Sequence, residues 1–173
     1  ASACISVNNE VIHGIPSGRR LNDGDIVSID FGVLLNGYYS DTAATFCCGN
    51  VSDEARKLVE VTKQCFYEGI AAAAAGNRLG DIGYAVERYA LKNGFSVVYD
   101  FVGHGVGTQL HEDPSVPNYG RKGKGLRLSE GMTIAVEPMI NQGVPEVEEL
   151  QDGWTIVTSD GKLSAHYEHT IAI

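Results

Sequence analysis

Positive charge is scarce in this sequence. Lys and Arg number 13 against 22 Asp and Glu, a formal net charge of -9 over 173 residues. A nucleic-acid binder needs a basic face to displace counterions from phosphates. The cations here are mostly scattered, apart from a short loop holding Arg121, Lys122 and Lys124. Nucleic acid is therefore excluded as a partner. Long apolar runs are missing too: none approaches the roughly 20 residues of a membrane span, and no signal peptide is present. Cysteine is sparse and unpatterned. Cys4, Cys47, Cys48 and Cys65 form no CxxC pair and have no His partner at zinc-finger spacing. Adjacent Cys47 and Cys48 would point to opposite faces of a strand, which leaves them poorly placed to pair with each other. Free thiols in a reducing cytoplasm are the expectation. There is no internal repeat and no low-complexity tract. An initiator Met is also lacking, since the chain opens on Ala1-Ser2-Ala3-Cys4; a leader or earlier segment is expected to lie outside it.

What is present is one domain's worth of ordinary globular composition, 43% hydrophobic and 20% charged, long enough to bury a core. Residues 4–12 and 25–48 are rich in Val, Ile, Tyr and Thr and read as strands broken by loops. A helix is predicted from an N-cap at Ser52, with Asp53 and Glu54 in its first turn, to Gly76. A second runs from about Asp81 to Asn93, with Gly94 as its C′ residue. Strands return at Ser96–Phe101, Met132–Ile140, Trp154–Thr158 and Ser164–Ile173, around a Gly/Pro-rich loop from His111 to Gly125. The pattern is α+β, a mainly antiparallel sheet backed by helices.

Chemistry first emerges from a hairpin. Asn36-Gly37 is the preferred type I′ turn dipeptide, and centring the turn on it sets Leu35 against Tyr38, Gly32 against Asp41 and Asp30 against Ala43. Asp30 and Asp41 then share one face as diagonal neighbours, roughly 7–8 Å apart at the backbone. Carboxylates reaching inward from there can share two divalent ions about 3.5–4 Å apart. Ile29 and Phe31 point to the opposite, apolar face. Either aspartate alone would also suit a solvent-facing strand position. Other donors follow. His104 is bracketed by Gly103, Gly105 and Gly107, without the GxGxxG spacing of a dinucleotide fingerprint. Glu137 lies in the apolar run Thr133-Ile134-Ala135-Val136-Glu137-Pro138, where an unpaired carboxylate costs several kcal/mol. Glu168 lies in the strand-like segment Ser164–His169. A structural ion pair would satisfy these carboxylates as well, but few Lys or Arg are near them in sequence. Four carboxylates and a histidine make a hard, oxygen-rich set suited to Mn, Fe, Co or Zn.

Asp30, Asp41, His104, Glu137 and Glu168, in that order, resemble the five-ligand set of the methionine aminopeptidases, enzymes of the pita-bread fold. The surrounding segments match as well: Ser6-Val7-Asn8 with His13-Gly14-Ile15-Pro16, Gly24-Asp25-Ile26-Val27, Gly103-His104-Gly105-Val106-Gly107 with His111-Glu112 and Pro114, Glu130-Gly131-Met132, and Tyr167-Glu168-His169-Thr170. The resemblance covers essentially the whole chain as a single catalytic domain, 1–173. Only 33 positions separate His104 from Glu137, with no room for the helical insertion of the type 2 enzymes, so the likeness is to type 1.

The resemblance implies a division of labour. Asp41 and Glu168 would bridge two metals, Asp30 would chelate the second, and His104 with Glu137 would complete the first. A bridging hydroxide would attack the carbonyl after an N-terminal methionine, with a small second residue preferred. Glu137 would accept the proton, His111 would hydrogen-bond the carbonyl oxygen, and His13 would contact the substrate backbone and assist proton transfer. Cys4, Leu110 and Trp154 resemble positions lining the methionine pocket, though each also reads as an ordinary core residue. The family further implies a monovalent cation, Na or K, on backbone carbonyls near Asn8 and Ser164. It also implies a peptide or nascent-protein N-terminus as partner, a cytoplasmic setting and a monomer. Two departures stand out. His166 occupies a position where many relatives have Gln. The helical segment that usually precedes the position of Cys4 is missing, which is expected to leave one flank of the sheet uncovered. A proline-specific dinuclear peptidase shares the fold and ligands but resembles this chain less well around His13 and Trp154. A non-catalytic pita-bread module would have lost ligands, and none is lost here.

Overall fold

The computed structural model describes residues 3–173. The first strands are β1 (Cys4–Val7), β2 (Glu10–Ile12), β3 (Ile26–Leu35) and β4 (Tyr38–Cys47). Helices α1 (Asp53–Ala71) and α2 (Leu79–Lys92) follow. The remaining strands are short: β5 (Ser96–Val97), β6 (Gly103–Gly105), β7 (Glu112–Val116), β8 (Thr133–Val136), β9 (Met139–Asn141), β10 (Val147–Glu149), β11 (Ile156–Thr158), β12 (Ser164–His166) and β13 (Glu168–Ala172). Seven strands join in the order β1-β3-β4-β13-β8-β6-β7, and two three-stranded sheets, β10-β11-β2 and β12-β9-β5, flank them. Every pairing among these named strands is antiparallel. No helix of the described residues is long and apolar enough to cross a membrane.

The β3–β4 hairpin follows the turn chemistry. Asn36 and Gly37 take φ of 52° and 85°, as a type I′ turn requires, and the register pairs Leu35 with Tyr38, Gly32 with Asp41 and Asp30 with Ala43. Ser52 caps α1 by accepting from the Ala55 amide at 3.1 Å. The helix stops at Ala71, five residues short of the Gly76 end read from the sequence. Tertiary bonds outweigh alanine's propensity there. The Asn77 amide group donates to the Ala72 carbonyl and the Gly76 N–H to Leu128 O, peeling the chain off the helix axis. Helix α2 begins at Leu79 and ends with Gly94 at φ 85°, the C′ conformation anticipated. The expected strand 132–140 breaks in two at Glu137-Pro138, because proline has no N–H for the ladder. Likewise 164–173 divides at Tyr167 into β12 and β13, and 96–101 is a strand only over its first two residues.

Both helices lie against the sheets. Leu58, Cys65, Val86 and Ala90 pack with Ile26, Val97, Ile140 and Ala165, while Phe66, Leu79 and Ile82 pack with Ile134, Val136 and Leu128. The outer face of the β3–β4 hairpin is bare by contrast. Phe31, Val33, Leu35 and Phe46 are 41%, 44%, 70% and 54% exposed.

Candidate active site

One row of residues runs across four strands. Cys4 on β1 pairs with Asp30 on β3, Asp30 with Ala43 on β4, and Ala43 with Glu168 on β13. The pairing puts Asp30 and Glu168 on either side of Ala43, whose methyl leaves open space between two longer side chains. Asp41 joins them from the adjacent position opposite Gly32. Its backbone is held by Thr170, whose hydroxyl accepts from the Asp41 N–H at 2.8 Å. Oxygens of Asp30, Asp41 and Glu168 lie within 4.8 Å of one another, and so do donor atoms of His104, Glu137 and Glu168.

His104 sits at the centre of the Gly103–Gly105 strand. Gly103 and Gly105 let that strand press against the carbonyls of Ala135 and Asp113, where a Cβ would collide. The His104 Nδ1 lies 2.9 Å from the Gly105 carbonyl, which leaves Nε2 aimed inward, 3.4 Å from Glu137 Oε1 and 3.8 Å from Asp41 Oδ2. Glu137 hangs at the end of β8, where Pro138 interrupts the ladder and the Asn118 side chain donates to the Glu137 carbonyl at 2.9 Å.

These carboxylates lack cationic partners among the described residues. The ion pairs involving Asp41, Glu137 and Glu168 are with histidines, and Glu168 Oε1 is buried with no hydrogen-bond partner. Burial, reinforced by the charge of Asp41, pushes Asp30 up to about 7. Burial also raises Glu137 and Glu168 well above the usual carboxylate range, with their neighbouring carboxylates adding to the effect. His104 is shifted the other way, chiefly by burial, and so favours the neutral imidazole that serves as a ligand. Mutually repelling buried carboxylates, an orphaned oxygen and a neutral inward-facing imidazole fit divalent cations.

A cleft of about 300 Å³ opens over the cluster, lined by His13, Asp30, Asp41, His104, His111, Glu137 and Glu168. His111 stands at its mouth, exposed, with its ring 4.2 Å from that of His104. His13 stacks on Trp154 at 5.0 Å and meets Phe101 edge-on at 5.9 Å. Burial, then the nearby His111, lowers the proton affinity of His13. Burial, then the charge of Asp30, raises the Cys4 thiol. Leu110 lies over Gly32, where a Cβ would come within 2.9 Å of its Cδ1. The five metal-ligand candidates, His13 and His111 thus line one cleft, whereas Cys4, Leu110 and Trp154 do not line it and Trp154 is 54% exposed. Sequence reasoning missed Phe101 and Asp100, which also line it. Their position just before Gly103-His104-Gly105 was the available hint.

A curved antiparallel sheet cupping four carboxylates and a histidine defines a metal-dependent hydrolase of the pita-bread class. The chain belongs to metallopeptidase family M24, whose pattern matches residues 1–173. It is 60% identical over 173 residues to a methionine aminopeptidase of Clostridium perfringens, covering 100% of this chain and 70% of that protein. The crystal structure of methionine aminopeptidase from Rickettsia prowazekii superposes with a TM-score of 0.97 at 47% identity, over 99% of this chain and 69% of that one. A prolidase from Pyrococcus furiosus shares the fold more distantly, with a TM-score of 0.79 at 26% identity, over 100% of this chain and 46% of that one.

Proposed function

We propose that this chain is a metalloaminopeptidase of the type 1 class that removes N-terminal methionine from proteins and peptides with a small second residue. The observation carrying the proposal is the convergence of Asp30, Asp41, His104, Glu137 and Glu168 at the floor of a cleft that His13 and His111 border. Asp41 and Glu168 would bridge two cations, Asp30 would serve one of them, and His104 with Glu137 the other. The hard donor set suits Co, Mn, Fe or Zn. Such ions supply Lewis acidity, polarising a carbonyl and making a nucleophile available from water near neutral pH.

The remaining work falls to the protein's side chains. Cys4, Leu110 and Trp154 offer an apolar, polarisable wall suited to an unbranched thioether. His111, at the mouth, donates to the oxygen of the scissile carbonyl as charge develops there. His13, held by Trp154 and Phe101, contacts the substrate backbone and relays a proton to the departing amine. Glu137 takes the proton from the attacking water.

A monovalent cation, Na or K, would sit by Asn8 and Ser164, where the Asn8 carbonyl accepts from the Ser164 N–H. Residues 1–173 are read as one catalytic domain, monomeric once the bare face of its β3–β4 hairpin is covered. Four free cysteines favour a cytoplasmic setting. The test is direct: load the protein with Mn²⁺ or Co²⁺ and assay Met-Ala-Ser, Met-Leu-Ser and Ala-Pro peptides. Met-Ala-Ser is expected to be cut far faster than either competitor. Equal rates on the two Met peptides, or preference for Ala-Pro, would refute the reading.

A further inference from the structure

His166 is the one imidazole at the site with no part in the scheme above. It is 1% exposed, and neither ring nitrogen has a hydrogen-bond partner. Its backbone is locked: the His166 N–H donates to Thr45 Oγ1 at 2.9 Å, and that hydroxyl donates back to the His166 carbonyl at 2.9 Å. Pairing of β12 with Met139 fixes it from the other side. From this fixed backbone the buried ring presents its Nε2 3.8 Å from Glu137 Oε2 and 4.0 Å from Glu168 Oε2. Glu137 accordingly stands between two imidazoles, with Oε1 toward His104 at 3.4 Å and Oε2 toward His166. One flank belongs to the proposed ligand set; the other has nothing to do but hydrogen-bond.

We infer that His166 is a positioning residue for the metal centre: its Nε2–H donates to Glu137 Oε2, fixing the rotation of that carboxylate so that Oε1 faces the cation beside His104. The 3.8 Å gap closes by a small rotation of the Glu137 carboxylate toward the buried ring. The inference rests on reading the carboxylate cluster as a metal centre. Such outer hydrogen bonds to a ligand typically change metal affinity by about 10- to 100-fold when removed.

The test uses metal-stripped protein titrated with Mn²⁺ by calorimetry, alongside thermal melts of the stripped forms. His166→Leu fills the buried space without a donor, whereas His166→Gln returns an amide N–H. His166→Leu is expected to weaken Mn²⁺ binding about 10- to 100-fold while the stripped protein melts no lower than the parent, since two unsatisfied nitrogens have been removed. His166→Gln is expected to bind within about threefold of the parent. A merely structural role would lower the stripped melting temperature of His166→Leu and refute the inference. So would parent-like affinity in His166→Leu, or a His166→Gln as weak as His166→Leu. Failure of the parent itself to bind Mn²⁺ would overturn the metal-centre reading, and this one with it.

Discussion

Asp30→Asn in metal-free protein isolates the electrostatic cost of assembling the site. Asp30 is raised from 3.8 to about 7 by burial and by the charge of Asp41. Between those values the folded chain holds a proton that the unfolded chain has released, so stability falls as pH rises. The penalty is absent below 3.8, grows through the interval and is complete above about 7. At 1.36 kcal/mol per unit the full shift is worth about 4 kcal/mol, and less than half of it has accrued by pH 5. Asn carries no such penalty. In chelator at pH 7.5, Asp30→Asn should therefore unfold at a higher temperature than the parent. The expected gain is of order 10 °C, taking about 2–4 °C per kcal/mol for a chain of this size. At pH 5 the gain should shrink to less than half.

Comparing the two proteins at each pH matters because other groups titrate in the same window. His13, His104 and His166 are all depressed by burial, so they lose stability as pH falls below 6.5 and mask the carboxylates in a single pH scan. The difference between variant and parent cancels them. Adding Mn²⁺ at pH 7.5 should reverse the order, since the parent gains a complete site and the variant does not. Equal melting temperatures in chelator at pH 7.5, or a gap that widens toward pH 5, would refute the claim that Asp30 is a strained buried acid awaiting a cation.

Three further outcomes are expected. Asp41→Asn should abolish binding of a second divalent ion, because a neutral amide cannot bridge two cations; two Mn²⁺ bound at parental affinity in calorimetry would break the ligand assignment. Gly32→Ala should leave Mn²⁺ affinity intact but lower kcat/KM on Met-Ala-Ser, since the new methyl comes within 2.9 Å of Leu110 Cδ1 and shifts the pocket wall; unchanged kinetics would remove Leu110 from the pocket. Replacing Phe31 and Leu35 together with Lys should reduce self-association in analytical ultracentrifugation, because both lie on the bare hairpin face at 41% and 70% exposure. A parent chain already monomeric at high concentration would sink that expectation.

The hairpin was legible because its information is local. A turn dipeptide fixes the register, the register fixes the faces, and two aspartates eleven positions apart fall on one side. The Ser52 cap and the Gly94 terminus are local in the same sense. The end of α1 was not legible. Five alanines from Ala71 to Ala75 favour continuing the helix, yet bonds to Leu128, more than fifty residues away, end it at Ala71. The break at Glu137-Pro138 carried a readable signal in the proline, but its purpose did not: it frees a carboxylate from the ladder at the edge of the cleft.

The assembly of the site lies between these cases. Donor types could be picked out one by one, since buried Glu and glycine-flanked His are rare enough to notice. The row that joins them depends on β13 pairing with β4 across 125 positions from Ala43 to Glu168, and nothing in either segment encodes that partner. Ala43 shows the limit most clearly. In sequence it is a small residue in a strand; in the folded chain it is 1% exposed between Asp30 and Glu168, and its lack of bulk keeps the floor of the cleft open. His166 was visible only as a departure from its relatives. That it is buried with two idle nitrogens beside two acids is a property of the packed sheet, and that property turns a substitution into a mechanistic question.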